Sequence, residues 1–592
     1  MRERRIVLFC SMLSFIIAKE TFAQCAMYAL PLKQKVENAS DIFEGKVKSK
    51  NCFWNAQRSL IFTSNIIEVY KIFKGNIVNT EVEIITEGGV IGDKMQSVEP
   101  NLNLTEGDIG IFMVEPTAIT DPLNINTVKG YRCYGNAQGF FKYDPVTKTA
   151  ATPFNNYIDI ENDLYQSISK QIGKSVRVIK SVDLNQLGAD VQNSIGKSGG
   201  SINAFNPITI SAGTNSVLTI DGVGFGAIRG SSYVGFKNAD DGGNTFKHPY
   251  SSQYILWSDT QIKVIVPSKA GTGIIQVVVG GVTILTSSAT LIVSYAESNT
   301  SADTINQYQT SLINLNGSGG ITWHMYTGFD SNTPAKNSFN RALQTWSANT
   351  HINWIVGSTT SVNTIGYDSV NVVRFDIGNE LAAGTLARCY YYWSGCIPNG
   401  STLPNWLVVE LDMAIDDGVN WQLGPAAPTG SQYDLESVLL HELGHGHQLA
   451  HVLDNTDVMN YSSQSDVTKR TLNANNSAAG IDVMSRSIVA YDCGLGHGSM
   501  TVNIDEKNYL NNNELLIFPN PTSGNIIIEF SAEVTNTTIE IFDYLGERII
   551  AMNQNNGSKK MNLDLSNLTN GVYCIVANVN GKILSKNIVL SK

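Results

Sequence analysis

Apolar and polar positions alternate in short runs between residues 25 and about 185. IFEGKVKS, SLIFTSNIIEVYKIFKG and VEIITEGG keep the period of two that sends successive side chains to opposite faces of a strand. Strand and turn patterns return over residues 202–295 and again over 514–592. Between about 305 and 490 the pattern changes. ITWHMY, VNVVRFDI and WLVVELDMAI read as strands, whereas Phe339, Ala342, Leu343 and Trp346 follow helical spacing in NSFNRALQTWSANT. DLESVLLHELGHGHQLA reads as a second helix, with Leu435, Val438, Leu439 and Glu442 on related faces. The expected architecture is multidomain, with one α/β domain flanked by all-β modules.

The expected boundaries follow the pattern. Residues 24–185, 202–295 and 514–592 are expected as all-β modules and 305–495 as the α/β domain; the resemblances given below imply an OB-like barrel, an immunoglobulin-like sandwich and a C-terminal β-sandwich for the three all-β segments. GADVQNSIGKSGGS, ending at Ser201, marks a linker over 186–201, and polar residues mark another over 496–513. A chain of 592 residues is too long for one core.

Composition narrows the function. With 42% hydrophobic and 16% charged residues the chain suits a folded protein. A net charge of −11, with 41 Lys+Arg, argues against a nucleic-acid binder, since phosphate affinity comes mostly from basic side chains. Arg2, Arg4 and Arg5 precede the apolar run Ile6 to Ile17, and Thr21-Phe22-Ala23 offers a small-residue cleavage site. Residues 1–23 therefore read as a secretory signal peptide, cut before Gln24. No later stretch is long and apolar enough for a transmembrane helix. Beyond Cys10, seven cysteines remain: Cys25, Cys52, Cys133, Cys389, Cys396, Cys493 and Cys574. Export permits disulfides. Cys389 and Cys396 could close a small loop, and Cys25, Cys52 and Cys133 could supply one pair and one spare. The odd total leaves a free thiol or an intermolecular bond.

The chemistry concentrates in residues 441–461, HELGHGHQLAHVLDNTDVMNY. His441 and His445 are four apart on the second helix, which puts them on one face, one turn apart. That spacing supplies two imidazole ligands for zinc, and Glu442 stands where a general base for water would be. His451 cannot join them on a continuous helix, because ten residues rise about 15 Å. The chain must turn after His445. Asp454 is a rival third ligand, and His447 points to a different helix face, as a surface or supporting residue. Three histidines leave a position for water, unlike a closed structural zinc site.

These residues resemble the metzincin signature HExxHxxGxxH followed by a Met-turn. The match runs His441-Glu442-x-x-His445-x-x-Gln448-x-x-His451, with Met459 in DVMNY as the Met-turn methionine. DLESVLLHELGH and VVELDMAIDDGVNW look matrixin-like in particular. The resemblance implies a zinc endopeptidase with His441, His445 and His451 as metal ligands, Glu442 as general base, and VVELDMAI as an edge strand that pairs with extended substrate. Tyr461, two residues after Met459, would be an oxyanion donor or a packing residue. Gln448 departs from the family. Gly holds that position because the backbone there is left-handed, a conformation that costs Gln roughly 1–2 kcal/mol. Gly446, two residues earlier, could carry part of the turn.

Three further resemblances frame this domain. DIFEGKVKS, TSNIIEVYKIFKG, EGGVIG and GDIGIFMV are similar to netrin-like and metalloproteinase-inhibitor-like barrels. Pro207, GVGFG, Trp257-Ser258-Asp259 and Val266-Pro267 resemble an IPT/TIG module. FPNPTSG, IFDYLGERI, LSNLTNGVY and a lysine-containing final strand resemble the type A sorting domain of the type IX secretion system, which implies that machinery as a partner and a secreted or cell-surface location. The leading expectation is a secreted zinc endopeptidase acting on protein or peptide substrates. The alternative is a binding or adhesion protein whose protease domain is inactive or is self-inhibited by the N-terminal module in its cleft. Cys133 in GYRCYGN or Cys25 could hold the site latent as a thiolate. Loops rich in Asp and Asn could hold structural Ca2+, although no EF-hand-type loop is present.

Overall fold

The computed structural model describes residues 27–122, 130–181, 199–490, 494–502, 515–590 and 592, except 282, 304, 379, 399–402, 521, 535–536, 544–547, 555–557 and 580–581. The expected signal peptide, Cys25, Cys493 and most of both expected linkers lie outside them. The described chain is mostly β-sheet with few helices. It forms two compact units, dividing after residue 503.

The first unit begins with a closed barrel. Asp41–Trp54, Ile61–Lys74, Glu81–Glu87, Gly130–Cys133 and Ile109–Pro116 pair in that order, and the last strand pairs back onto the first. Phe43, Val47, Ile67, Val69, Val82, Ile84, Phe112 and Val114 fill its interior. Closure leaves no free sheet edge within the ring. One hairpin leaves it. Gly89–Ile91 and Lys94–Glu99 pair with each other and join the sheet of a later domain. Gly88 makes the exit (φ +84), and a Cβ there would stand 2.7 Å from the Gln96 carbonyl oxygen.

Residues 201–296 form a sandwich. Ser201–Asn206, Val217–Val223, Gln261–Ile265 and Tyr254–Trp257 make one sheet; Phe246–Lys247, Tyr233–Asn238, Ala270–Val279 and Thr283–Thr286 make the other. Alternate residues such as Leu218, Ile220, Val234, Phe236, Ile262 and Val264 are buried between them. The same buried cluster continues into the next domain through Leu312, Trp323 and Leu449. The sandwich is fused to its neighbour by shared core and is no free spacer.

The third region carries a mixed sheet. Trp354–Val356, Ile321–Met325, Val372–Phe375 and Asn405–Ile415 run parallel in that order, and Ala387–Cys396 follows antiparallel. Two helices, Thr333–Thr350 and Leu435–Gly446, pack together and are tied by the Trp346 indole N–H donating to the Leu440 carbonyl at 2.7 Å. The expected edge strand is corrected here. Asn405–Ile415, which holds VVELDMAI, is interior, because Ala387–Cys396 pairs outside it. The outer edge of Ala387–Cys396 is in turn occupied by Lys94–Glu99 from the barrel hairpin. Residues 498–499, expected as loop, pair with Ile313 and Asn314.

The cysteine expectations are also corrected. Cys396 is disulfide-bonded, but Cys389 is a free, buried thiol. Both lie on one extended strand seven residues apart, about 23 Å at the rise of a strand, while a disulfide spans less than about 7 Å between Cα atoms. Cys52 and Cys133 are free as well.

The second unit stands by itself as two sheets. Leu515–Phe518, Asn525–Val534 and Ser558–Asp564 form one; Arg548–Gln554, Thr537–Phe542, Gly571–Val579 and Lys582–Leu590 form the other. Ile526, Ile528, Ile539, Ile541 and Ile575 make its core.

Candidate metal centre

The helix Leu435–Gly446 starts at Asp434, whose carboxylate accepts the Ser437 backbone N–H at 3.0 Å and pairs with Arg470. Every residue of the helix is buried. It is a core helix, held on all sides, so its histidines cannot drift. Gly444 is required by packing. A Cβ there would meet the Met459 sulfur at 2.3 Å, so the methionine fits under the helix only because Gly444 is bare.

The helix ends in a Schellman turn. Leu449 N–H donates to Gly444 O at 2.9 Å and Gln448 N–H to His445 O at 2.8 Å. Gln448 sits at the position where this turn demands the left-handed conformation, and its φ is +66°. Its side chain is fully buried. The amide oxygen accepts the Trp393 indole N–H and the Thr310 hydroxyl, both at 2.8 Å, and the amide nitrogen donates to His445 O at 3.3 Å. A glycine would take this turn without strain but could not tie it to the strand Ala387–Cys396.

After the turn His451 returns to His441 and His445. One nitrogen of each lies within 4.8 Å of the others, a set able to hold a metal ion. The far nitrogens define the tautomers. His441 Nδ1 is 2.7 Å from Val458 O, and His445 Nδ1 is 2.9 Å from Leu449 O. A carbonyl can only accept, so both Nδ1 atoms carry protons. His451 Nδ1 lies 2.8 Å from an Asp240 carboxylate oxygen, which likewise accepts. The Nε2 atoms of His441 and His445 then present lone pairs, and those of His445 and His451 lie 3.2 Å apart. At that separation either one ring donates an N–H to the other or a cation lies between the two nitrogens. Burial and the neighbouring imidazoles push His441 well below its ordinary pKa, and burial with His451 takes His445 down to about 3, so both rings stay neutral, as ligands must.

Glu442 is fully buried, and both carboxylate oxygens lack a hydrogen-bond partner. Burial pushes its carboxyl well above the usual range; the Cys389 backbone N–H, which lies close by without making a hydrogen bond of good geometry, opposes that shift. A buried carboxyl without a partner is costly, and it suits a group that must hold and release a proton.

The remaining expected residues separate. Met459 is buried beneath the helix, and its carbonyl accepts the Val452 N–H at 2.9 Å. Tyr461 is half-buried, with its ring 5.7 Å from Phe154 of the barrel domain and its hydroxyl against Gly242 of the sandwich. Asp454 is exposed and accepts from Thr456 at 2.8 Å. His447 is corrected: it lies in the core, hydrogen-bonded to the Thr350 hydroxyl at 2.8 Å and packed on Trp346 and Trp354. Cys133 lies in the barrel core, where burial raises its thiol pKa, so it is no zinc-blocking thiolate. Carboxylates of Asp376, Asp416 and Asp417 cluster within 4.8 Å, although Asp376 already accepts two backbone N–H groups, from Leu381 and Asp417.

Sequence reasoning missed three residues around His451. Asp240, from the sandwich, holds the His451 ring; Lys269 bonds Asp240 at 2.8 Å and Glu99 at 2.5 Å. Burial lowers the Lys269 pKa, but the two carboxylates outweigh it and hold the ammonium above its usual range. No local signal marks these residues, since Asp240 and His451 are 211 positions apart. Asp240 fixes the tautomer of His451, and Asp240→Asn should weaken zinc affinity by about 10–100-fold without unfolding the chain. Competition titration with a zinc-binding dye checks this, and an unchanged affinity would show that the bond is incidental.

Comparison with known proteins identifies two modules. Residues 201–294 match the IPT/TIG domain family, and residues 516–591 match the secretion system C-terminal sorting domain family. The sorting domain marks a client of the type IX secretion machinery, secreted or held at the cell surface. Among the described residues no helix is long and apolar enough to cross a membrane. No curated protein matches the chain. Immunoglobulin-like β-sandwiches occur among similar solved structures. A DUF3244 family protein of that fold from Bacteroides vulgatus is 13% identical over 14% of this chain and 88% of its own, with a TM-score of 0.13. CopC from Methylosinus trichosporium is 16% identical over 13% of this chain and 90% of its own, with a TM-score of 0.11. The BSP domain of a biofilm-associated protein is 8% identical over 97% of this chain and 84% of its own, with a TM-score of 0.12.

Proposed function

We propose that the protein is a secreted zinc endopeptidase of metzincin, matrixin-like type. One observation carries the reading: three buried imidazoles bring one nitrogen each toward one point beside the buried carboxyl of Glu442. His441, His445 and His451 would hold the zinc. Zinc, when bound, acidifies water and polarises a carbonyl. Glu442 would take a proton from the attacking water and pass it to the leaving nitrogen. The Nδ1–H bonds to Val458, Leu449 and Asp240 keep the three rings oriented. Met459 supports the helix from below. Tyr461 is the candidate oxyanion donor, and it must leave its contacts with Phe154 and Gly242 to act.

The substrate class that suits the domain is extended protein or peptide, because a strand edge recognises main chain rather than a particular side chain. The test is cleavage of an unfolded protein by zinc-loaded enzyme, with and without a zinc chelator, before and after removal of the barrel module by limited proteolysis. Chelator-sensitive cleavage in either form supports the reading. Inert protein in both forms, folded and carrying one zinc, would overturn it in favour of a binding or adhesion protein that keeps a metal only for structure. The IPT/TIG module gives that second reading its one specific support.

A further inference from the structure

The centre is sealed. His441, Glu442, His445 and His451 are each no more than 1% exposed, so no peptide can reach them in this conformation. What covers them comes from other parts of the same chain. We propose that Lys94–Glu99 of the barrel hairpin is a built-in occupant of the substrate groove, latched by Lys269, and that its release switches the enzyme on. This rests on the peptidase reading above.

The occupant has the form of a bound peptide. Six consecutive residues pair antiparallel with the edge strand, from Lys94 opposite Ser394 to Glu99 opposite Cys389. Strand addition to an open edge is how a groove of this kind takes extended chain. Its catalytic end is defined by Cys389, whose backbone N–H faces Glu442. Glu99 therefore lies level with the general base, and its carboxylate comes within 4.8 Å of donor atoms of Asp240 and His451. The side chains are seated as well. Val98 is buried among Ile365, Leu381, Tyr390 and Tyr392, and Met95 contacts the Thr300 hydroxyl. Lys94 donates to the Ser394 hydroxyl at 2.9 Å.

The latch joins three regions at one ammonium. Lys269, on the sandwich, bonds Glu99 of the barrel hairpin and Asp240, and Asp240 holds His451. Lys269 is only partly exposed, and an ion pair loses strength in water. Once Lys269 lets go, Glu99 is left as a lone carboxylate in a poorly solvated groove, and the hairpin loses its anchor at the catalytic end. The hairpin pairs with itself through Gly89–Ile91, so it can leave as a unit without opening the barrel ring.

The test uses the full zinc-loaded chain and two variants that leave His441, Glu442, His445, His451 and Asp240 in place. Lys269→Ala removes the latch, and Val98→Asp makes the seat of the occupant unfavourable. Each should raise cleavage of an unfolded protein by about tenfold or more, because the open fraction limits apparent activity. Hydrogen exchange should quicken at residues 387–396 in Lys269→Ala while the rest of the domain stays protected. Added in trans, a synthetic peptide of residues 94–100 should inhibit the activated variant. Wild type as active as both variants overturns the latch and leaves the peptidase standing. Folded, zinc-loaded protein that is inert in every form, barrel module removed included, overturns both. Lys269→Ala serves if Val98→Asp fails to fold, and unchanged exchange and activity in it overturn the proposal.

Discussion

Glu442→Gln should yield a folded protein that binds zinc as tightly as wild type and cleaves peptide about 10³-fold more slowly, the size of a general acid–base contribution. The comparison belongs in the activated form, where the wild-type rate is measurable. Gln matches Glu in volume, so a site with no exposed surface keeps its packing. Its amide cannot accept a proton from water, and the neighbouring carboxylate, Glu99, is already paired with Lys269. Zinc content and the circular dichroism spectrum should not change. A loss of less than about tenfold would assign the proton transfer elsewhere and reduce Glu442 to an electrostatic neighbour.

Gln448→Leu should destabilise the first unit by about 3 kcal/mol. Leu keeps the left-handed strain, because its φ cost is that of any L residue, and it removes every polar contact of the amide. The Trp393 indole N–H then has no acceptor in a closed core, at about 1–3 kcal/mol. Thr310 suffers less, because its hydroxyl can turn fully to the Ser298 carbonyl at 3.2 Å. Gln448→Gly separates the two effects. Glycine relieves roughly 1–2 kcal/mol of strain, yet it leaves Trp393 unpaired and opens a cavity. The expected order in urea unfolding, from most to least stable, is wild type, then Gln448→Gly, then Gln448→Leu. A glycine variant more stable than wild type would mean that strain dominates and the indole bond is worth little.

The helix that carries His441 and His445 was legible because its signal is local. His441 and His445 at four-residue spacing, with Glu442 between, state a shared helix face in the chain itself. The need for a turn before His451 follows from helix rise alone, and the helix stops at Gly446. The left-handed turn was legible too, at a residue that dislikes it. Its compensation was not, because Trp393 and Thr310 are 55 and 138 positions from Gln448. The sheet shows the same divide. Alternation marked VVELDMAI as a strand, but strand neighbours depend on which edges are left open after folding, and that placed it inside and Ala387–Cys396 outside.

By itself, then, the sequence determined the helices Thr333–Thr350 and Leu435–Gly446, several of the strands, and the sorting and IPT/TIG segments. Each rests on periodicity or on residues close together in the chain. Only the tertiary structure decided that Asp240 and Lys269 of the sandwich and Glu99 of the barrel meet at His451, that a barrel hairpin fills the edge strand, and that Cys389 and Cys396 stay apart. Those contacts join positions up to hundreds of residues distant. They arise when separately patterned elements bury their faces together, and no window of sequence contains both partners.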